Sequence, residues 1–399
     1  MRRRLLVIGC LGMVATTMFA GSRASAVERN SSPSPPRLVT ITIPAPAGEI
    51  PPKWLSYPGP PRANVLLPSG YDPHERYPLL VLLNGLNTNY AWFAQWGLTK
   101  AFARLNAIVV MPEGGSGWYT DWWNDGERGS PSWESYELDT VLPSILARYP
   151  ILPQRRYHAL AGVSMGGLGA VYLGGRLPGF FGSVASLSGF VDPGFFAPVT
   201  DPAMGLTSLA PLKGDAHLDP VEGPPDGFYF KGHDPTLLTT NLKQTRVFES
   251  TGTGAPSPEA AFNEPGSSEE GLVIYPMNQL YSRALVAAGV AVTYQVHPGG
   301  HDIPDFKSEI EAMLAWGLFN PATTAPASWA NDTVATGGQV WNINYRFATP
   351  PSQVVRFQQF GGALSISAAG SDVAITTSGG CTIHTRTPAT IQVTARRCL

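Results

Sequence analysis

The stretch that decides the fold is Y-H-A-L-A-G-V-S-M-G-G-L-G-A-V-Y, residues 157–172. It contains a short apolar run, a serine flanked by glycines in the pattern G-x-S-x-G, and a run of small residues. This order predicts a strand, a sharp turn and a helix that packs closely against a sheet. Ser164 would lie on the turn with its oxygen free to attack a substrate. An ordinary strand–turn–helix connection is the alternative interpretation.

Segments on both sides of this stretch alternate between strand-like and helix-like patterns from about residue 60 to residue 318. Residues 77–84, Y-P-L-L-V-L-L-N, are almost continuously apolar, which is typical of a strand buried on both faces of a sheet. The alternation predicts an α/β domain over residues 37–319, with a mostly parallel sheet and helices on both faces.

The composition changes after this domain. Residues 320–337 are rich in Ala, Thr, Pro and Gly and are predicted to form a linker. Residues 338–399 contain short alternating runs separated by Gly or Pro, which predicts a small all-β, sandwich-like domain. Its aromatic residues either pack in its core or bind a wall polymer, and packing is the favoured interpretation: Trp341, Tyr345, Phe347 and Phe357.

The N-terminus has the features of an export signal. Three arginines precede an apolar stretch at residues 5–20, and Ala24-Ser25-Ala26 follows as a small-residue cleavage site. We therefore expect a cleaved signal peptide at residues 1–26 and a secreted or cell-envelope-associated protein, with an uncleaved anchor as the alternative. Residues 27–36 are a polar, proline-rich lead-in that is predicted to be disordered.

Cleavage would leave two cysteines, Cys381 and Cys398. An even pair in an exported chain predicts one disulfide, which would help a small β domain to hold together. The net charge of −2 over 399 residues gives no sign of a nucleic-acid partner. A monomer is expected.

A reactive serine needs a histidine base that is oriented by a carboxylate. His301 is favoured as the base because it lies in the Gly-rich loop after a predicted strand at residues 291–296. For the acid, the residues alone leave open Glu249 and the pair Glu269–Glu270. The sequence has no metal-ligand motif, phosphate loop or dinucleotide fingerprint, so no metal and no cofactor are expected.

Two backbone amides are candidates for stabilising negative charge on a substrate oxygen. The N–H of Met165 directly follows the candidate nucleophile, and the N–H of Leu86 lies in the loop after the predicted strand at residues 77–84. In folds with this type of nucleophile turn, these two positions form the oxyanion hole. A plain strand-end turn is the alternative interpretation for Leu86.

Several motifs together resemble the α/β-hydrolase esterase family that includes the secreted mycolyltransferases and the S-formylglutathione hydrolases, and the mycolyltransferase branch most. They are L-L-N-G-L-N (82–87), V-V-M-P-E-G-G (109–115), W-Y-T-D-W (118–122), A-G-V-S-M-G-G (161–167), S-L-S-G-F-V-D-P (186–193), H-D-P (233–235), E-G-L (270–272) with N-Q (278–279), and G-G-H (299–301). The resemblance implies that Ser164 is the nucleophile, His301 the base and Glu270 the acid, with Glu269 as the fallback. It also implies that the amides of Leu86 and Met165 form the oxyanion hole.

The chain departs from the mycolyltransferase pattern at positions that hold the sugar acceptor in that branch. Asn84 and Asn87 stand where the family has Asp and Arg, and Ile303 stands where it has Trp. With Trp118 of the W-Y-T-D-W motif, these residues are the candidate substrate-binding positions. The departures weaken the case for trehalose as acceptor and leave the acyl-enzyme chemistry intact.

These observations favour a secreted serine carboxylesterase that acts on acyl esters or lipids. The alternative is a cell-envelope acyltransferase that moves an acyl chain to a sugar or glycerol hydroxyl, with a cell-envelope glycolipid as substrate. The third hypothesis is a non-catalytic surface-binding protein built on a hydrolase scaffold.

Overall fold

The structure is a computed structural model that describes residues 34–123, 131–196, 221–224, 226–257, 266–322 and 326–393. The predicted signal peptide, residues 197–220 and Cys398 lie outside the described residues. Cleavage of the leader and the Cys381–Cys398 pairing therefore stay predictions. Among the described residues, no helix is both long and apolar enough to cross a membrane.

An eight-stranded sheet forms the centre of the α/β part. Its order is β1-β2-β4-β3-β5-β6-β7-β8. Only β2 runs against the other strands, because it pairs antiparallel with both β1 and β4 while the remaining pairs are parallel. The strands are β1 (Arg37–Thr42), β2 (Arg62–Leu67), β3 (Leu79–Leu83), β4 (Ile108–Pro112), β5 (His158–Val163), β6 (Ser183–Leu187), β7 (Arg246–Gly252) and β8 (Val292–His297).

Helices cover both faces of this sheet. The α-helices are α1 (Trp92–Gln95), α2 (Trp133–Ser135), α3 (Leu142–Arg148), α4 (Met165–Arg176), α5 (Phe228–Lys231), α6 (Gly266–Glu269), α7 (Tyr275–Ala287) and α8 (Ile303–Trp316). Two π-helical segments, Tyr136–Val141 and Glu270–Ile274, interrupt longer helical runs. Short 3-10 turns lie at Pro52–Trp54, Leu98–Arg104, Arg155–Tyr157, Pro193–Phe196 and Thr239–Leu242.

Strand β3 shows how the sequence predicts a sheet with helices on both faces. Leu79, Val81 and Leu83 belong to the core on one face, beneath α4. Leu80 and Leu82 belong to the core on the other face, which also contains Phe306 and Ile310 of α8. Since successive side chains of a strand point to opposite faces, a continuous apolar run requires cover on both sides. The predicted α/β fold is confirmed.

The C-terminal region forms two four-stranded antiparallel sheets, with orders β10-β11-β14-β15 and β16-β13-β12-β9. Tyr345, Phe347 and Phe357 are buried in the core that these sheets share. Their burial agrees with the packing interpretation of these aromatics. The strands are β9 (Ser328–Thr333), β10 (Gly337–Val340), β11 (Ile343–Phe347), β12 (Val355–Phe360), β13 (Ala363–Ile366), β14 (Asp372–Thr377), β15 (Thr382–Arg386) and β16 (Ala389–Gln392).

Strand β9 lies inside the segment that the sequence analysis placed in a linker, so the structure starts the β region earlier than predicted. Its sequence S-W-A-N-D-T lacks an apolar alternation. Its place is set by pairing with β12 and by polar contacts to the α/β part. Asn331 donates to the carbonyl of Gly175, 2.9 Å away, and Asn241 exchanges two hydrogen bonds with the backbone of Asp332.

Candidate active site

Ser164 lies on the turn between β5 and α4. Its φ of 58° and ψ of −120° are rarely adopted by a residue with a side chain, so the turn is strained. The flanking glycines allow the chain to form this turn. A Cβ on Gly162 would lie 2.0 Å from the carbonyl oxygen of Gly166, and a Cβ on Gly166 would lie 2.3 Å from that of Leu83. The turn predicted from G-x-S-x-G is therefore present, and each glycine occupies a place with no room for a side chain.

His301 lies in the loop between β8 and α8, as the sequence analysis expected. Its Nε2 is 2.9 Å from Ser164 Oγ, and its Nδ1 is 2.7 Å from Glu270 Oε2. The loop is anchored by the backbone N–H of His301, which donates to the carbonyl of Gly266 at 3.0 Å. The side chain is only 8% exposed. The fold thus brings three residues that are far apart in the chain into one hydrogen-bonded row.

Glu270 is fully buried and begins the π-helical segment Glu270–Ile274. Its Oε1 accepts three hydrogen bonds, from Thr251 Oγ1 at 2.7 Å, Ser188 Oγ at 2.8 Å and the backbone N–H of Gly252 at 2.9 Å. Its Oε2 is left for His301. The sequence analysis did not single out Ser188 or Thr251, because a buried hydroxyl has no distinctive sequence pattern.

The two other acids that the sequence left open lie elsewhere. Glu249 is fully buried in β7, and no hydrogen bond joins it to His301 within the described parts of the chain. Burial raises the pKa of Glu249 well above its usual value, which favours the neutral form of this side chain. Glu269 has a side chain that is 57% exposed, and its Oε1 lies 3.9 Å from Nε2 of His301 rather than beside Nδ1.

The protonation of His301 is set by opposing effects. Burial alone lowers the pKa of the imidazole, but the hydrogen bond and charge of Glu270 raise it, with smaller contributions from the charges of Glu269 and Glu309. The net result is a raised pKa. The site therefore favours an imidazole that holds a proton once it has accepted one.

The loop at residues 84–88 lies directly against the serine turn. A Cβ on Gly85 would lie 3.6 Å from Cβ of Ser164. Asn84 ties this loop to its neighbour: its Oδ1 accepts from the N–H of Gly114 at 3.0 Å and from Tyr119 Oη at 3.1 Å. Asn84 is 1% exposed. The structure thus places this predicted substrate-binding side chain inside the protein, where it braces the loop that carries Leu86.

The other predicted substrate-binding residues lie in different environments. Asn87 is exposed, and its backbone φ is 58°. Trp118 is buried and packs edge-on against Phe190 with ring centroids 5.2 Å apart. Ile303 is half-buried at the first position of α8, where it packs on the core. Of the four positions, Asn87 is the one whose side chain is open to solvent.

A metal site is not evident in this geometry. No group of three or more His, Cys, Asp or Glu side chains is arranged to hold a metal ion in the residues that the structure covers.

Comparisons of sequence and of structure both find relatives of this chain. A family model described as putative esterase matches residues 56–317. An esterase of Mycobacterium tuberculosis is 30% identical over 276 residues, which cover 67% of this chain and 58% of that protein. The diacylglycerol acyltransferase/mycolyltransferase Ag85A of Mycobacterium leprae is 31% identical over 239 residues, covering 56% of this chain and 69% of that protein. The chain spans less than two thirds of the length of the esterase that it matches.

Solved structures share the fold. MPT51 of Mycobacterium tuberculosis superposes with a TM-score of 0.55 and 19% identity, covering 71% of this chain and 99% of that one. An S-formylglutathione hydrolase from Agrobacterium tumefaciens superposes with a TM-score of 0.50 and 17% identity, covering 73% and 97% of the two chains. At these identities the similarity concerns the fold of the α/β part.

Proposed function

We propose that this chain, which belongs to the putative esterase family, is a secreted serine carboxylesterase. It would act on acyl esters through an acyl-enzyme. The observation that carries the proposal is the hydrogen-bonded row from Ser164 through His301 to Glu270. A serine hydroxyl is a weak nucleophile unless an adjacent base removes its proton, and this row provides the base and the group that orients it.

In the first half of the reaction, Ser164 Oγ attacks the ester carbonyl while His301 Nε2 takes the hydroxyl proton. The imidazolium that forms is stabilised by the buried carboxylate of Glu270. When the tetrahedral intermediate collapses, the C–O bond to the leaving alcohol breaks and His301 returns its proton to that alcohol. The acyl group is then bonded to Ser164.

The backbone amides of Met165 and Leu86 would stabilise the negative oxygen of the intermediate. Met165 is the first residue of the 12-residue helix α4, where the helix dipole favours negative charge. Among the hydrogen bonds of the described residues, none uses either of these two N–H groups as a donor. Preorganised donors of this kind are typically worth about 10²–10³ in rate each.

In the second half, His301 removes a proton from water, and the resulting attack releases the acid and restores Ser164. A hydroxyl compound in place of water would make the chain an acyltransferase. The 31% identity to a diacylglycerol acyltransferase/mycolyltransferase supports this second candidate. Mass analysis of products formed from an acyl donor with sugar or glycerol acceptors separates the two, because free acid alone would argue against transfer to those acceptors.

Replacing the nucleophile tests the core of the proposal. We expect Ser164→Ala to lower kcat/KM for a p-nitrophenyl acyl ester by about 10⁴–10⁶-fold, since the acyl-enzyme cannot form. Ser308→Ala is a matched control, because Ser308 is exposed on α8 away from the row, and its activity should stay within about twofold. If Ser164→Ala retained its activity on the p-nitrophenyl ester, the proposal would be contradicted. Failure of a fluorophosphonate probe to label the wild-type serine would instead favour a non-catalytic binding role.

Export and the disulfide are part of the same proposal. The basic and apolar N-terminal pattern supports a leader cleaved before Val27, and an oxidising compartment supports pairing of Cys381 with Cys398. One intact-mass measurement on protein recovered outside the cell tests both. A chain that starts before Val27 would contradict cleavage of the leader. A chain that gains the mass of two alkylating groups, when its thiols are alkylated without prior reduction, would contradict the disulfide.

A further inference from the structure

The hydroxyl of Ser188 lies between two buried carboxyl groups. Its Oγ is 2.8 Å from Oε1 of Glu270 and 3.0 Å from Oε1 of Glu309. All three residues are at most 1% exposed. A serine hydroxyl has one proton to donate, so it can donate to only one of the two carboxyl groups. If both were ionised, the second carboxylate would face a lone pair of the hydroxyl at hydrogen-bond distance.

The surroundings indicate which carboxyl group carries a proton. Glu270 has ample donors, because Thr251, the N–H of Gly252 and His301 all contact it. Glu309 has Ser188 and His297 on one oxygen, and its other oxygen, Oε2, has no hydrogen-bond partner in the described structure. A buried oxygen without a partner costs far less on a neutral acid than on a carboxylate. The proton therefore fits on Glu309.

We propose that Glu309 is a protonated positioning residue of the active site: its carboxyl O–H donates to Ser188 Oγ, so that the proton of Ser188 is directed to Glu270 and fixes the carboxylate that orients His301. This inference rests on the proposed function of Ser164, His301 and Glu270. Glu309 acts through Ser188 and Glu270 and does not contact the reacting atoms.

Charged and titratable groups act on Glu309 in both directions. Burial raises the pKa of Glu309 to about 7, with the charge of Glu270 adding to the effect and His297 and Ser188 opposing it. On the side of β8, burial lowers the pKa of His297, but the hydrogen bond and charge of an ionised Glu309, then the carbonyl of Pro298 and the charge of Asp305, raise it to about 9. The His297 side chain is 25% exposed and lies 3.1 Å from Glu309 Oε1, so it connects Glu309 with solvent.

The arrangement predicts a pH effect with a definite sign. Below a pH of about 7, Glu309 is neutral and donates to Ser188. As the pH rises through this value, Glu309 ionises, Ser188 loses its donor, and a second negative charge appears behind Glu270. We therefore expect kcat/KM of the wild type to decline by a few-fold above pH 7, a step that a residue unable to ionise would lack.

Three variants test the inference at pH 6. In Glu309→Gln an amide N–H replaces the acid O–H, so kcat/KM should fall by less than about threefold and the decline above pH 7 should disappear. Glu309→Leu removes the donor, and Ser188→Ala removes the bridge. Each should lower kcat/KM by about tenfold, mainly through kcat, as expected for one lost buried hydrogen bond. If Glu309→Leu does not fold, Ser188→Ala still makes the comparison.

An infrared measurement reads the proton directly and does not depend on turnover. A carboxylic-acid C=O band should be present in the wild type at pH 6, weaken as the pH rises above 7, and lose the Glu309 contribution in Glu309→Gln. Absence of this difference, or a Glu309→Gln variant as impaired as Glu309→Leu, would overturn the inference. An active Ser164→Ala variant would instead overturn the proposed function, so the two failures are distinguishable.

Discussion

Two buried glutamates lie in different regions of this molecule. Glu270 contacts His301 in the active site, with 2.7 Å between Oε2 and Nδ1. Glu134, in the short helix α2, contacts Arg176 at the end of α4, with 2.5 Å between Oε1 and Nε. A guanidinium stays charged at all relevant pH values, whereas an imidazole can take and release a proton near neutrality. Both carboxylates are buried, so the partner decides whether the pair serves structure or proton transfer.

The Glu134 region joins the α/β part to the C-terminal sheets. Arg176 also donates to Tyr345 Oη at 3.1 Å, and Tyr172 Oη donates to Glu134 at 2.6 Å. Burial by itself raises the pKa of Glu134, but Arg176, with His233 and Tyr172, outweighs it and lowers the pKa to about 2. The carboxylate therefore stays ionised over the working pH range. We interpret this pair as a structural tie between the two parts.

The largest effect should come from neutralising Glu270. We expect Glu270→Gln to lower kcat/KM by about 10³–10⁴-fold, because the amide cannot stabilise the imidazolium of His301 and favours the wrong tautomer. Steady-state hydrolysis of a p-nitrophenyl ester measures it. The control is Glu249→Gln, because Glu249 is also fully buried, has no hydrogen bond to His301 in the described structure, and has a pKa that burial raises. Equal losses in both variants would mean that burial, not contact with His301, matters.

Neutralising Glu134 should affect stability instead of turnover. Breaking a buried ion pair from one side typically costs about 3–5 kcal/mol, so Glu134→Gln should unfold at a markedly lower denaturant concentration. The activity per folded molecule should change little. Glu311→Gln is the matched control: Glu311 pairs with Lys307 on the surface at 3.7 Å, and its loss should change the free energy of unfolding by at most a few tenths of a kcal/mol.

The pH dependence of the stability of Glu134→Gln tests whether the charge of Glu134 is responsible for the effect. The pKa of Glu134 is lowered when the protein folds, so its contribution is complete above its ordinary value of 4.5 and is lost as the pH falls toward about 2. The stability difference between the wild type and Glu134→Gln should shrink across that window. A constant difference from pH 6 to pH 2 would show that packing, and not charge, is the cause.

The smallest effect should come from Glu269, the exposed neighbour of Glu270. Its charge contributes to the raised pKa of His301, so Glu269→Gln should move the acid limb of the kcat/KM profile slightly to lower pH. With a side chain that is 57% exposed, the effect on kcat/KM should stay within about twofold and shrink with added salt. A shift to higher pH, or a loss comparable to that of Glu270→Gln, would contradict this comparison of adjacent glutamates.

Local patterns carried much of the prediction. The turn at Ser164 was predicted from G-x-S-x-G and its apolar and small-residue flanks, because the close contact of Gly162 with Gly166 lies within that motif. The contact of Gly166 with Leu83, which is distant in the chain, is visible only in the fold. Strand β3 could also be predicted from a local pattern, because its own run of apolar residues implies that both faces of the strand are covered. Strand β9 was missed, because its buried Asn331 is held by groups that come from distant segments of the chain.

The sequence by itself determined the α/β architecture, the strained turn at Ser164 and the Gly-rich loop of His301, because each depends on residues that are neighbours in the chain. Only the tertiary structure placed Glu270 rather than Glu249 beside Nδ1 of His301, and turned Asn84 inward to brace a loop. It also brought Ser188 between two carboxyl groups. The physical reason is that hydrogen-bond geometry and burial depend on how strands β6, β7 and β8 line up side by side, and chain spacing does not encode that distance.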